Sequence, residues 1–285
     1  MSRKFVSTIC CLGLIVVLVN ACQTSPNATS LLSPTVTAQA ESDSVSVTYI
    51  GNAGFMVTVN DKKILIDALF SGLRDNYTLP KNILDTLVSA QPPFDDVDLI
   101  LVTHGHADHW APGLVQQYLQ NNPHAKFAST TVITNWLPAF ADRLIKLDPT
   151  PGKPVQADID GIQVEALSLS HGGDVRTNIG FVVTVNDVNL FFSGDLDISQ
   201  VSFEEFRAYQ LPEKGMDVAF MPHFYFTDIP AEQKFLREGI ASKYLIPTHY
   251  YYTDPPLNRS YVLSNYPDAI FFNDELQSWV MPPEK

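Results

Sequence analysis

Cysteine is nearly absent, with three in 285 residues. Two of them, Cys10 and Cys11, lie inside an uncharged amino-terminal run, so a processed chain keeps only Cys22. That excludes a disulfide framework, a thiolate metal site and a cysteine nucleophile. Glycine is scarce, at 14, and has no period, which excludes a collagen-like chain; no heptad is sustained either. Charged residues reach only 17% against 45% hydrophobic, the reverse of a disordered chain. The deficient sign is positive: 18 Lys and Arg face 31 Asp and Glu, a formal net charge of −13. A general nucleic-acid binder carries a basic patch to meet phosphates, so nucleic acid is not an expected partner. The serine-hydrolase elbow Gly-x-Ser-x-Gly is missing as well.

A long apolar span is also lacking. Phe5 to Val19 is an uncharged run of 15 residues, short of the roughly 20 that a membrane-spanning helix needs. Arg3 and Lys4 precede it and Ala21 follows, which is the pattern of an export signal over residues 1–21. Leu18-Val19-Asn20-Ala21-Cys22 resembles a bacterial lipobox. The resemblance implies cleavage before Cys22, lipid on that residue and a membrane anchor rather than a span. Gln23 after the Cys, by resemblance to sorting rules, favours the outer membrane. Cleavage removes Arg3 and Lys4 and no acid, leaving 16 basic against 31 acidic residues, a net −15. Residues 22–44 are the lipidated Cys and a tether rich in Ser, Thr, Ala, Asn, Gln and Pro without aromatics, too polar to offset its ordering entropy. Residues 45–285 are then one domain, without internal repeats.

Strands and helices alternate along this domain. Val45–Ile50, Phe55–Val59 and Lys63–Asp67 read as strands by β-branched content and alternation. Val97–Thr103 is continuously apolar until its end and reads as a strand buried on both faces. Pro112 opens a helix over 112–121, and another is expected over 130–141. Ile162–Leu169, Phe181–Val185 and Asn189–Ser193 are strands, the last two a hairpin around Asn186-Asp187. Ser202 and Glu205 form a capping box for a helix over 203–209. Val218–Met221 and Tyr244–Pro247 are strands flanking a helix over 230–241, and Ala269–Asn273 is a closing strand. Early hairpins followed by alternating helices predict an α/β fold of two mixed sheets with outer helices.

The chemistry gathers at strand ends. Val97–Val102 runs into Thr103-His104-Gly105-His106-Ala107-Asp108-His109, three imidazoles and a carboxylate within six residues. Neutral imidazole and carboxylate are good ligands for zinc and similar ions. His104 and His106, two apart, point the same way from an extended segment, while Asp108 and His109 follow a turn and address a second point. One segment thus serves two adjacent metals. His171, Asp195 and His249 each lie just past an apolar strand, where ligands in mixed and parallel sheets gather.

On these residues the chain resembles the metallo-β-lactamase superfamily over nearly all of 45–273. The match lies in the Thr103–His109 motif, in His171, Asp195 and His249 in the same order, and in the opening strands around Ile50-Gly51-Asn52-Ala53-Gly54-Phe55 and Ile64-Leu65-Ile66-Asp67. It is most similar to the compact branch that holds lactonase-like hydrolases and the phospholipase D acting on N-acyl phosphatidylethanolamine. The resemblance implies a four-layer αβ/βα sandwich and two divalent metal ions, with zinc expected and manganese or iron as alternatives. It places His104, His106 and His171 on the first metal, Asp108, His109 and His249 on the second, and Asp195 as a bridge. Asp67 matches a buried Asp that supports the His segment, or is a turn residue ending its strand.

A hydroxide shared by two ions about 3.5–4 Å apart is a competent nucleophile near neutral pH. The expected function is therefore metal-dependent hydrolysis of an ester, lactone, amide or phosphodiester on a small-molecule or lipid substrate in the envelope, with Asp108 also orienting the nucleophile. A lipid phosphodiesterase and a metal-stabilised scaffold or binding lipoprotein are the alternatives. His223, in Met221-Pro222-His223-Phe224-Tyr225, either donates a proton to a developing oxyanion or is structural. Trp110 and Tyr250-Tyr251-Tyr252 line a cleft or simply pack. Arg176 meets an anionic substrate or solvent, and His124 reads as a solvated turn residue.

Overall fold

The amino-terminal strands show why a sandwich forms. In Val45–Gly51 the residues Val45, Val47 and Tyr49 point to one buried side. The intervening Ser46 and Thr48 point the other way, and Thr48 shares a hydrogen bond with Ser278 at 2.8 Å. This period of two repeats in strand after strand. The computed structural model describes residues 44–72, 77–172, 178–250 and 257–283. The export signal, Cys22, the tether to residue 43, Arg176 and the pair Tyr251-Tyr252 lie outside them. The described residues belong to the compact unit Glu41–Lys285, and among them no helix is long and apolar enough to cross a membrane.

In chain order the strands are β1 (Val45–Gly51), β2 (Gly54–Val59), β3 (Lys62–Ile66), β4 (Leu99–Leu101), β5 (Lys126–Ser129) and β6 (Leu144–Lys146). Then come β7 (Val155–Ile159), β8 (Ile162–Ser168), β9 (Ile179–Val185), β10 (Val188–Phe192), β11 (Val218–Pro222), β12 (Tyr244–Thr248) and β13 (Ser278–Val280). One sheet has the order β13-β1-β2-β3-β4-β5-β6, the other β12-β11-β10-β9-β8-β7. Both are mixed. β1 to β3 pair antiparallel, and β3 to β6 pair parallel. β10 to β12 are parallel, and β7 to β10 are antiparallel.

The helices are α1 (Lys81–Val88), α2 (Pro112–Asn121), α3 (Thr131–Thr134), α4 (Phe203–Arg207), α5 (Leu211–Lys214), α6 (Pro230–Lys234) and α7 (Leu257–Asn265). Three apolar layers result. Phe55, Leu101, Phe181, Phe192 and Phe220 fill the space between the sheets. Leu87 of α1 and Val115 and Tyr118 of α2 cover the first sheet through Leu65 and Ile100. Phe206 of α4, Leu211 of α5 and Val262 of α7 cover the second through Phe191 and Met221. This is the expected sandwich with outer helices.

Four local expectations differ from the structure. The segment 269–273 is not a strand. Its Ile270 N–H reaches Leu245 O at 2.9 Å, but its Phe272 N–H is taken by the Tyr250 hydroxyl at 2.9 Å, so no ladder forms. The closing strand is β13, paired with β1. The helix over 130–141 breaks into α3 and a 3₁₀ turn over Pro138–Arg143. Pro138 lacks an N–H and biases Leu137 away from helical geometry. The helix over 230–241 changes pitch into a π-helical turn over Phe235–Ile240 and stops at Ala241, whose φ is 53°. The expected strand 97–103 pairs only over Leu99–Leu101, all of them buried.

Candidate metal centre

The site starts from one buried carboxylate. Asp67 follows β3 directly and sits in the left-handed region, with φ 48°. Its Oδ1 accepts the Thr103 N–H at 2.8 Å, and its Oδ2 accepts the Thr103 hydroxyl at 2.7 Å. The same Oδ2 lies 2.8 Å from His109 Nδ1. Thr103 Oγ1, its proton given to Asp67, is left to accept from His104 Nδ1 at 3.1 Å. Asp67 therefore sets both rings, one directly and one through Thr103. Protons on both Nδ1 atoms leave the Nε2 lone pairs directed at the centre, the usual arrangement behind a metal-bound histidine.

The structure brings the seven predicted donors into two clusters. His104, His106, His171 and Asp195 offer ligand atoms within 4.8 Å of one another, and so do Asp108, His109 and His249. His104 Nε2 and His106 Nδ1 are 2.8 Å apart. Asp195 faces both groups. Its Oδ2 lies 3.7 Å from His104 Nε2, 3.6 Å from His171 Nε2 and 3.3 Å from His249 Nε2, while Oδ1 lies 3.2 Å from His109 Nε2. Asp108 Oδ2 is 3.2 Å from His249 Nε2 and 3.7 Å from His109 Nε2.

Asp195 is held by a residue the sequence did not single out. Asn178, fully buried, accepts the Asp195 N–H at 3.1 Å and donates to Leu169 O at 2.9 Å and Ser193 O at 3.0 Å. It ties the end of β8, which leads to His171, to the end of β10, which leads to Asp195. Gly194 makes this approach feasible: with φ 53°, a Cβ there would stand 2.2 Å from Asn178 Oδ1 and 2.8 Å from Thr103 Cβ. His249 also sits in the left-handed region, with φ 60°. Behind it Tyr49 donates to Tyr250 O at 2.8 Å, and the two rings stack at 5.5 Å.

The electrostatics suit cation binding. Burial and the neighbouring His109 hold the His104 imidazolium well below its ordinary range, so that ring is neutral. Burial works against ionised Asp195, but His109 and His249 outweigh it and hold its carboxyl well below the usual range. Burial likewise opposes ionised Asp108, and His249 and His109 reverse the balance. Burial disfavours charge on His109, yet Asp195 and Asp67 raise it well above an ordinary imidazole. Its Nε2 is buried without a hydrogen-bond partner, Asp195 being close but not aligned. Facing ring nitrogens, converging ionised carboxylates and an orphaned Nε2 fit a pair of divalent ions.

A pH dependence follows. Burial lowers and Asp195 and Asp108 raise the His249 imidazolium, which ends at about 9 in the metal-free protein. A metal arriving at His249 at neutral pH must therefore expel a proton. Apparent affinity is expected to rise with pH from neutrality to about 9, and His109, also raised by Asp195 and Asp67, acts in the same direction. Calorimetric titration in buffers of different ionisation enthalpy checks it, and zero proton release at neutral pH contradicts it.

Trp110, Tyr250 and His124 take plainer places. Trp110 packs in the layer between α2 and the first sheet, and Tyr250 is buried in its aromatic stack. His124 is an exposed turn residue. His223 stands on the 3₁₀ turn His223–Tyr225 after β11, with Nδ1 3.3 Å from Thr248 O beside the His249 loop. Sequence reasoning missed Asn52, Thr103 and Asn178. Asn52 and Thr103 stood inside motifs already quoted, without a role; Asn178 left no signal.

Two mixed sheets with outer helices, and a double His/Asp cluster at their strand ends, define a metal-dependent hydrolase of the metallo-β-lactamase type. The family model described as the beta-lactamase superfamily domain matches residues 46–249, and the chain belongs to that family. A UPF0173 metal-dependent hydrolase of Pyrococcus furiosus is 28% identical over 218 residues, covering 75% of this chain and 87% of that protein. One of Thermococcus kodakarensis is 27% identical over 216 residues, with 75% and 87% covered. Among solved structures, Igni18, a metallo hydrolase from Ignicoccus hospitalis, superposes with a TM-score of 0.60 at 19% identity, covering 85% of this chain and all of that one. The metallo-β-lactamase fold protein YhfI from Bacillus subtilis gives 0.56 at 15% identity, covering 84% and 100%. These two likenesses speak for the fold.

Proposed function

We propose that the chain uses two divalent cations, zinc being the expected ion, to hydrolyse an ester, lactone, amide or phosphodiester bond in the cell envelope. The observation that carries this reading is Asp195, whose one carboxylate faces donors of both clusters. When bound, such ions supply water activated near neutral pH and a Lewis acid for the attacked oxygen. The chain's own residues do the rest. His104, His106 and His171 hold the first position, Asp108, His109 and His249 the second, and Asp195 spans them. Asp67 and Thr103 keep two rings in the tautomer that ligation needs. Asp108, ionised and partly exposed, orients the attacking water besides binding metal. His223, on the 3₁₀ turn beside the His249 loop, donates a proton to the developing oxyanion.

The test joins metal content to turnover in the purified chain, with lactone, aryl ester, phosphodiester and phospholipid substrates. Two metals per chain and turnover abolished by a chelator are expected. Fewer than one metal after reconstitution, with no turnover, returns the scaffold reading. One observation favours the lipid phosphodiesterase within this class. Phe224 is 46% exposed, and its ring lies 6.3 Å from that of His249, an apolar surface beside the donors. Turnover on phospholipid vesicles that exceeds turnover on soluble esters selects that reading.

The envelope location rests on the lipobox-like run before Cys22. A Cys22→Ala variant is expected to leave the membrane fraction and lose acyl label in metabolic labelling. Unchanged fractionation removes the anchor.

A further inference from the structure

Asn52 lies in the turn between β1 and β2, fully buried and in the left-handed region, with φ 52°. Asn is one of the few residues that tolerate this conformation. A turn Asn normally keeps its side chain in water. This one is folded under the second donor cluster. Its Nδ2 donates to Asp108 O at 3.1 Å and approaches Asp108 Oδ2 at 3.5 Å. Its own carbonyl accepts the His249 N–H at 3.2 Å, and an isolated bridge pairs Asn52 with Tyr250. The first of these contacts ties the Asp108 backbone to the carboxamide and sets the carboxamide beside the Asp108 carboxylate. The second fixes the backbone of His249, itself left-handed. Asn52 Oδ1 is buried with no hydrogen-bond partner. A conformation and an unmet acceptor that both work against stability mark a place arranged for something else.

We propose that Asn52 is the positioning residue of the second metal position. Its carboxamide aims Asp108 and its carbonyl holds His249, two donors that come from opposite sheets. His109, the third donor, is set independently by Asp67. The first position, built on His104, His106 and His171, does not depend on the carboxamide. The two positions therefore have separate supports, and removing the carboxamide weakens one of them selectively. The proposal rests on the two-metal reading above.

Asn52→Gly in the full chain is the suitable test, because glycine accepts the left-handed backbone and retains the carbonyl to His249. Metal-free wild type and variant are titrated with Zn²⁺ by calorimetry, with a competing chelator to resolve tight binding. The wild type decides the two-metal reading: fewer than two ions per chain removes it and this proposal together. Given two, the variant is expected to keep one ion at wild-type affinity and bind the other about 10–100-fold more weakly, the usual range for a lost outer partner. Asp108→Ala closes the cycle, since Asn52→Gly should cost little further in that background. Unchanged affinities, equal weakening of both ions, full additivity with Asp108→Ala, or failure of the glycine variant to fold would each overturn the assignment.

Discussion

Asp195→Asn is expected to reduce bound metal from two ions per chain to one or fewer and to lower turnover about a thousandfold. The magnitude comes from the several kcal/mol that metal-ion catalysis contributes, at about 1.4 kcal/mol per decade of rate. The cause is local. Among the described residues, Asp195 is the one carboxylate that faces His104, His171, His109 and His249 together. Asparagine keeps the volume and leaves the backbone bond to Asn178 in place. What goes is the negative charge between the clusters. Metal analysis of the reconstituted variant, with turnover on the best substrate, checks the expectation. Two ions at wild-type affinity with turnover within tenfold would show that Asp195 is not shared.

Asp67→Asn should act without touching a metal. The carboxamide oxygen introduced by this change can still accept the Thr103 N–H. Its NH₂ group then meets the Thr103 hydroxyl and His109 Nδ1, where two protons are already directed. The least costly escape is to move the His109 proton to Nε2, which turns the lone pair away from the centre. Metal affinity is expected to fall about 10–100-fold. The metal-free fold should lose about 1–3 kcal/mol for the mispaired buried group. Calorimetric metal titration and denaturant unfolding in chelator measure the two effects separately. A variant that loses stability while binding both ions normally would reduce Asp67 to a structural residue.

Much of the centre was legible because its signals are short in sequence. Six residues, His104 to His109, carry four donors behind an apolar strand, and extended geometry alone sends His104 and His106 the same way. His171, Asp195 and His249 were readable from their common place after apolar strands. The supports were not. Asp67 lies 36 residues from Thr103 and 42 from His109, and nothing local distinguishes it from a turn aspartate. Asn52 and Asn178 each resemble ordinary turn and strand-end asparagines until the sheets bring their partners to them. Phe271 and Phe272 gave 269–273 the pattern of a strand, but Tyr250, distant in sequence, takes the backbone donor that a ladder would need.

The division follows the range of the forces. The sequence by itself determined the alternation that makes two-faced strands, the apolar stripes of the outer helices and the donor types after the strand ends. These depend on the periodicity of neighbouring residues and on side-chain chemistry. Only the tertiary structure decided the rest. It ordered the strands into two mixed sheets, sorted seven donors into two clusters, set Asp195 between them and put Asp67, Asn52 and Asn178 behind. Those choices depend on burial and on hydrogen bonds between residues far apart in the chain, where an unpaired polar group is costly and a partner must be found across the fold.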